Sequence, residues 1–174
     1  MRVSGRMAAE VLDAVSRSVS PGVTTRELDD YATELIRKCG GESAFFGYRG
    51  YPGHICVSVN EEVVHGIPGP RRIRMGDVVS LDVGVVCDGF VGDTATTVMV
   101  GVTDPEIIRL VNVGRKALEL AIAKAVCGNR LSDISHAIET TAEEAGFSVV
   151  RDFVGHGVGR KMHEDPQIPN FGPP

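Results

Sequence analysis

Apolar residues recur every third or fourth position near the start of the chain, at Val3, Met7, Val11, Val15 and Val19, with Ala8 and Leu12 widening the stripe. That spacing predicts an amphipathic helix with one face on a core. No capping side chain precedes it, so its first N–H groups have no partner in the sequence. Ser20-Pro21-Gly22 breaks the pattern, and Thr24 with Glu27 gives a capping-box signature for a second helix. Its stripe is Leu28, Tyr31, Ala32, Leu35 and Ile36, and Gly40 or Gly41 ends it. The segment from Ser43 to Pro52 sets Phe45, Phe46, Tyr48 and Tyr51 among glycines, a composition that suits either a pocket wall or core filling. Ile55, Val57 and Val59 alternate with Cys56 and Ser58, which predicts a strand, and Val63-Val64 leads into a loop at His65–Gly69.

Two β-branched runs between Gly76 and Gly101 flank Asp88-Gly89, a dipeptide that favours a tight hairpin turn. With those two residues as the loop, Cys87 faces Phe90, Gly84 faces Asp93, and Asp82 lies diagonally from Asp93. Both aspartates then project from one face of neighbouring strands. Carboxylates so placed among apolar residues repel each other and are poorly hydrated unless a cation joins them. The stretch therefore predicts a metal-binding floor. The plainer alternative has Asp93 accepting backbone N–H bonds at a bulge and Asp82 closing a strand.

Beyond the hairpin, Thr103 or Asp104 caps a third helix with Pro105 in its first turn, running to about Val126 and stopped by Gly128. A fourth spans Ser132 to Ala145 and ends at Gly146. Phe147 to Val150 reads as a strand, followed by Gly155-His156-Gly157-Val158-Gly159, His163 and a proline-rich tail. An offset of 106 residues lays this series on the first, with Ala8 on Gly114, Leu12 on Leu118, Gly22 on Gly128, Leu28 on Ile134 and Gly40 on Gly146. The pattern predicts one α+β domain of two similar halves, about 2–101 and 102–174, about a pseudo-twofold axis. The second half lacks a counterpart of the 76–101 hairpin.

A length of 174 residues, 43% hydrophobic and 24% charged, suits a single domain with a real core. The formal net charge of −5 argues against a nucleic-acid surface, and the cluster Arg71, Arg72 and Arg74 reads as a solvated loop. Cys39, Cys56, Cys87 and Cys127 show no C-x-x-C spacing, and there is neither a secretory h-region nor a membrane-spanning run. Free thiols in a reducing, cytoplasmic compartment are expected, with no membrane partner. His156, between glycines, is either a metal ligand or a hydrogen-bonded loop histidine, and His163 and His65 carry weaker versions of the same choice. His54 and His136 are weaker still. Cys56, among strand residues, reads as a buried inert thiol. No G-x-S-x-G nucleophile signature occurs.

GYRGYPGHICVSVNEEVVHGIPG (47–69), GDVVSLDVGVVCDGFVGDTATT (76–97), GFSVVRDFVGHGVGRKMHEDPQIPNF (146–171) and the helix at Arg2–Ala14 resemble, in this order, the type I methionine aminopeptidases of the bacterial, cytosolic kind. The resemblance implies the duplicated pita-bread (creatinase/aminopeptidase-like) fold and two divalent metal ions, among cobalt, manganese, iron and zinc. It matches Asp82 to a ligand of the first metal, Asp93 to the bridging ligand and His156 to a ligand of the second. His65 matches the histidine near the scissile bond, and His163 the one contacting the peptide and the tetrahedral intermediate. Tyr48, Tyr51 and Cys56 match residues near the methionine pocket, and Met162 stands where many members have phenylalanine. The family carries two further ligands, both glutamates, on strands after the proline-rich segment, and a short segment ahead of Met1. Neither occurs in this sequence, which reads as truncated at both ends, and Glu164, within the family's H-E-x-P stretch, is no substitute for the glutamates.

The function this implies is hydrolysis of Met-|-Xaa with small Xaa, on N-terminal peptides of nascent proteins near the ribosome. The full-length protein is expected to be monomeric. These 174 residues alone are expected to be weakly active or inactive and prone to self-association through the hairpin edge. The alternatives are an inactive pita-bread domain that binds peptides or proteins, and an Xaa-Pro peptidase relative.

Overall fold

The computed structural model describes residues 1–174. By internal packing the chain divides into two compact units, Met1–Val102 with Val158–Met162, and Thr103–Gly157 with His163–Pro174.

In the first unit, α1 spans Arg2–Ser18 and α2 spans Thr25–Lys38. Helix α1 starts without a side-chain cap, as its sequence indicates. Its buried face is Ser4, Ala8, Val11, Leu12 and Val15, whereas Val3, placed on the stripe by periodicity, is 57% exposed. The covered arc is therefore turned toward Ser4, where the helix meets the sheet backbone and only a small residue fits. Thr24 and Glu27 form the expected reciprocal capping box on α2, and Gly40 follows at φ +79°. Tyr31 stays at the solvent edge of that helix.

The sheet has four strands, β1 (Glu42–Ser43), β2 (Cys56–Val59), β3 (Val78–Cys87) and β4 (Phe90–Met99). β3 is central: β4 runs along one edge, while β1 and β2 share the other, pairing near Val85–Val86 and Val79–Asp82 respectively. The period of two in β3 divides the sheet. Val79, Leu81, Val83 and Val85 are fully buried and face Ala8, Val11, Leu12 and Val15 of α1 with Leu28, Ala32 and Ile36 of α2. Each such side chain contributes about 1.5–3 kcal/mol by leaving water. Gly92, opposite Val85, lies against the Ser4 backbone, where a Cβ would overlap it. The other face carries Asp82, Gly84 and Asp93, and a second buried cluster of Phe45, Cys56, Val91 and Met162. That cluster covers Cys56, and the Gly66 backbone bonds Ser58, so all of β2 is buried where alternation alone implies one wet face.

In the second unit, α3 (Pro105–Lys124) is capped by Asp104, whose Oδ1 accepts from Glu106 N at 2.8 Å. Helix α4 (Leu131–Glu144) begins where the Asp133 carboxylate accepts from Arg130 N at 2.7 Å. α2 and α4 are each 14 residues long and begin and end 106 residues apart. Gly22 and Gly128 have φ of +93° and +95°, and Gly40 and Gly146 both have +79°. Residues 147–150 form no strand, contrary to the sequence expectation: no neighbouring strand offers them a ladder, and Phe147 instead lies under the Arg109 guanidinium, 4.6 Å from the ring centroid. The strands of this unit are β5 (Gly155–Gly157) and β6 (Glu164–Ile168), paired antiparallel. No helix is long and apolar enough to cross a membrane.

Candidate metal centre and substrate face

Asp88 and Gly89 turn the hairpin with φ of 51° and 74°, the left-handed pair that a two-residue loop requires. The register follows: Cys87 pairs with Phe90, Gly84 with Asp93, and Asp82 with Ala95. Asp82 and Asp93 therefore occupy diagonal positions on one face, and their carboxyl groups share a hydrogen bond. Burial, then the charge of Asp93, push the Asp82 carboxyl up to about 7. Without a cation the like charges resist ionising together, and the pair favours sharing one proton over carrying two charges. Two such oxygens fit a divalent cation, which takes over the proton's role of screening one carboxylate from the other. No group of three or more His, Cys, Asp or Glu side chains is gathered to hold a metal, so Asp82 and Asp93 stand as a pair.

The register sets Cys56 of β2 directly opposite Asp82. Burial pushes its thiol up to about 12, so Cys56 is an apolar wall rather than a nucleophile. Around it pack Phe45, Val91 and Met162, with Tyr48 and Tyr51 at the margin. The structure thus brings Tyr48, Tyr51, Cys56 and Met162 together on the face that carries the aspartates. Met162 arrives there because Val91 N donates to Gly159 O at 2.8 Å and the Arg160 guanidinium lies 4.4 Å from the Phe90 ring centroid. Phe45 fits because position 84 is glycine, where a Cβ would come within 2.5 Å of its ring. A glycine inside a β-branched strand was the available signal for that close approach.

His65 sits on an exposed loop at φ 60°. Its neighbour Gly66 is tied down on three sides: Gly66 N donates to Ser58 Oγ at 3.0 Å, and Gly66 O accepts from Val57 N at 3.0 Å and from the Tyr51 hydroxyl at 2.8 Å. In the second unit, His156 on β5 has Nδ1 2.9 Å from Gly157 O, and its ring centroid lies 4.1 Å from that of His163. With Nδ1–H donating to that carbonyl, the lone pair is on Nε2, the tautomer suited to a metal-ligating imidazole. Glu164 pairs with Gly157 across the β5–β6 ladder. His54 stacks on Phe46 with centroids 4.4 Å apart, and His136 lies on the outside of α4, in keeping with the minor weight their positions carry.

The model of metallopeptidase family M24 matches residues 1–174. The chain is 45% identical over 175 residues to a methionine aminopeptidase of Clostridium acetobutylicum and 48% identical over 174 residues to methionine aminopeptidase 1 of Bacillus subtilis. Each match covers all of this chain and 70% of the relative. The crystal structure of methionine aminopeptidase from Thermotoga maritima superposes with a TM-score of 0.96 at 48% identity, over 100% of this chain and 70% of that one. Prolidase from Pyrococcus furiosus, at 22% identity and a TM-score of 0.84, shares the fold. The α+β, pita-bread-like architecture, the aspartate pair on its hairpin and these likenesses agree, and the chain belongs to the methionine aminopeptidases of metallopeptidase family M24.

Proposed function

We propose that this chain carries the catalytic face of a metalloexopeptidase that removes N-terminal methionine, cleaving Met-|-Xaa where Xaa is small. The observation that carries this reading is the diagonal pair Asp82 and Asp93, two carboxyl groups held together on a half-buried face, in a chain of this family. Asp82 and Asp93, with His156 assigned by motif, would hold two divalent ions, with cobalt, manganese, iron and zinc all compatible with oxygen and imidazole donors. When bound, such ions supply Lewis acidity and a nucleophile at neutral pH.

The side chains do the rest. Tyr48, Tyr51, Cys56 and Met162 offer the apolar, water-excluding wall that a methionine side chain needs. His65 and His163 are the imidazoles that hydrogen-bond the peptide and the developing oxyanion. Substrates are the N-termini of nascent proteins in the cytoplasm, and four free thiols fit a reducing compartment. We further infer that the two helical pairs are copies of one unit, an inference supported by the shared lengths of α2 and α4 and the matched glycine dihedrals.

The test is release of methionine from a Met-Ala-Ser peptide with manganese or cobalt present, beside an Xaa-Pro peptide. Methionine release that disappears in Asp93→Asn is expected. Preference for the Xaa-Pro peptide, or methionine release that survives Asp93→Asn, contradicts the reading.

A further inference from the structure

We infer that Tyr51 and Ser58 are positioning residues for His65, acting through the backbone of Gly66, an inference that rests on the reading of His65 as the imidazole beside the scissile bond. Ser58 is 3% exposed in a strand whose neighbours Val57 and Val59 are equally buried. A hydroxyl there is costly unless it is hydrogen-bonded. Its partner is Gly66 N, at 3.0 Å. By register Ser58 lies on the face that carries Cys56 and Asp82, so the bond ties the His65 loop down on the substrate face.

Tyr51 completes the clamp. Its hydroxyl donates to Gly66 O at 2.8 Å, the nearer of two carbonyls in reach, the other being Ile55 O at 3.2 Å, and it also meets the Cys56 side chain. That hydroxyl is engaged with the backbone, so Tyr51 has a role distinct from walling the methionine pocket. Val57 N closes the third side of the same peptide unit. Position 66 admits no side chain, because a Cβ would overlap Val57 O and come within 2.8 Å of Ser58 Cα. With Gly66 pinned against β2, His65 is held at φ 60°, a left-handed backbone conformation that few residues with a Cβ adopt. The imidazole is exposed while the backbone that carries it is fixed, which is what a hydrogen-bonding group needs to meet a substrate without reorganising.

The test has an arm that does not depend on turnover. Histidine ring Cε1–Hε1 signals are recorded for this chain and for Tyr51→Phe and Ser58→Ala, with the His65 signal identified by its loss in His65→Gln. The His65 signal moves or broadens in both variants, while those of His136 and His163 stay in place. In the peptide assay, kcat falls on the order of 10-fold with KM within about twofold, since small misplacements of a reacting group are amplified in rate. Tyr51→Phe removes one oxygen only and decides alone if Ser58→Ala does not fold. A His65 signal unchanged in the folded variants overturns the clamp. So does an unchanged kcat in both variants when His65→Gln lowers it. If His65→Gln itself leaves kcat unchanged, it is the assignment of His65 that falls, and the two failures are distinct.

Discussion

Helix α1 buries Ser4, Ala8, Val11, Leu12 and Val15, whereas of the residues 106 positions further on, Leu110, Gly114, Ala117, Leu118 and Ala121 of α3, only Ala117 and Ala121 are buried. Leu12 is 7% exposed and Leu118 55%. The difference lies in what packs against each helix within its own unit. In the first unit the β3–β4 hairpin lies over α1, close enough that Gly92 touches the Ser4 backbone. In the second unit Leu110, Leu118, Ile138 and Phe147 border an open apolar groove of about 330 Å³. The α1 face packs on a sheet, whereas the α3 face borders this groove. The hairpin that closes the first face also carries Asp82 and Asp93 on its reverse side, so packing and chemistry share one element.

The sharpest way to break this comparison is truncation at matched positions. Leu12→Ala should cost about 3 kcal/mol in urea unfolding of the first unit, the usual range for a buried leucine. A next, smaller effect concerns the reverse side of the hairpin. Folding holds the Asp82 carboxyl above its ordinary value, so its contribution is fully present below about pH 4 and is lost as pH rises through about 7. Between pH 5.5 and pH 8 the metal-free protein should lose on the order of 2 kcal/mol of stability. Asp82→Asn should flatten that slope and raise stability at pH 8. A slope that persists in the variant would assign it to other groups. The smallest effect belongs to Leu118→Ala, within about 0.5 kcal/mol because the side chain is largely in water already. Equal losses at Leu12 and Leu118 would erase the distinction between the two units.

Local signals wrote most of the first unit into the sequence. The capping box at Thr24, the Asp88-Gly89 turn and the alternation in β3 each act over a few residues, and together they fix the register that makes Asp82 and Asp93 neighbours. What failed depended on partners distant in sequence. Val3 satisfied the helical period yet faces solvent, because the sheet meets α1 at Ser4. Phe147–Val150 had strand composition but no edge to join. The return of Val158–Met162 to the first unit, and the Gly66 clamp on His65, depend on hydrogen bonds to Val91 and Ser58 that no local spacing announces. The aspartate pair was legible because a hairpin is local; the methionine-pocket residues share a face only through the second cluster, whose members lie far apart in sequence.

Metal uptake at the carboxylate pair tests the central claim most directly. Equilibrium dialysis of this chain against manganese or cobalt at pH 7.5, with bound metal counted by mass spectrometry, should show at least one ion per chain at saturation. Asp93→Asn should bind far less at the same free metal. Equal uptake by the native chain and by Asp93→Asn would show that Asp82 and Asp93 do not form the metal floor.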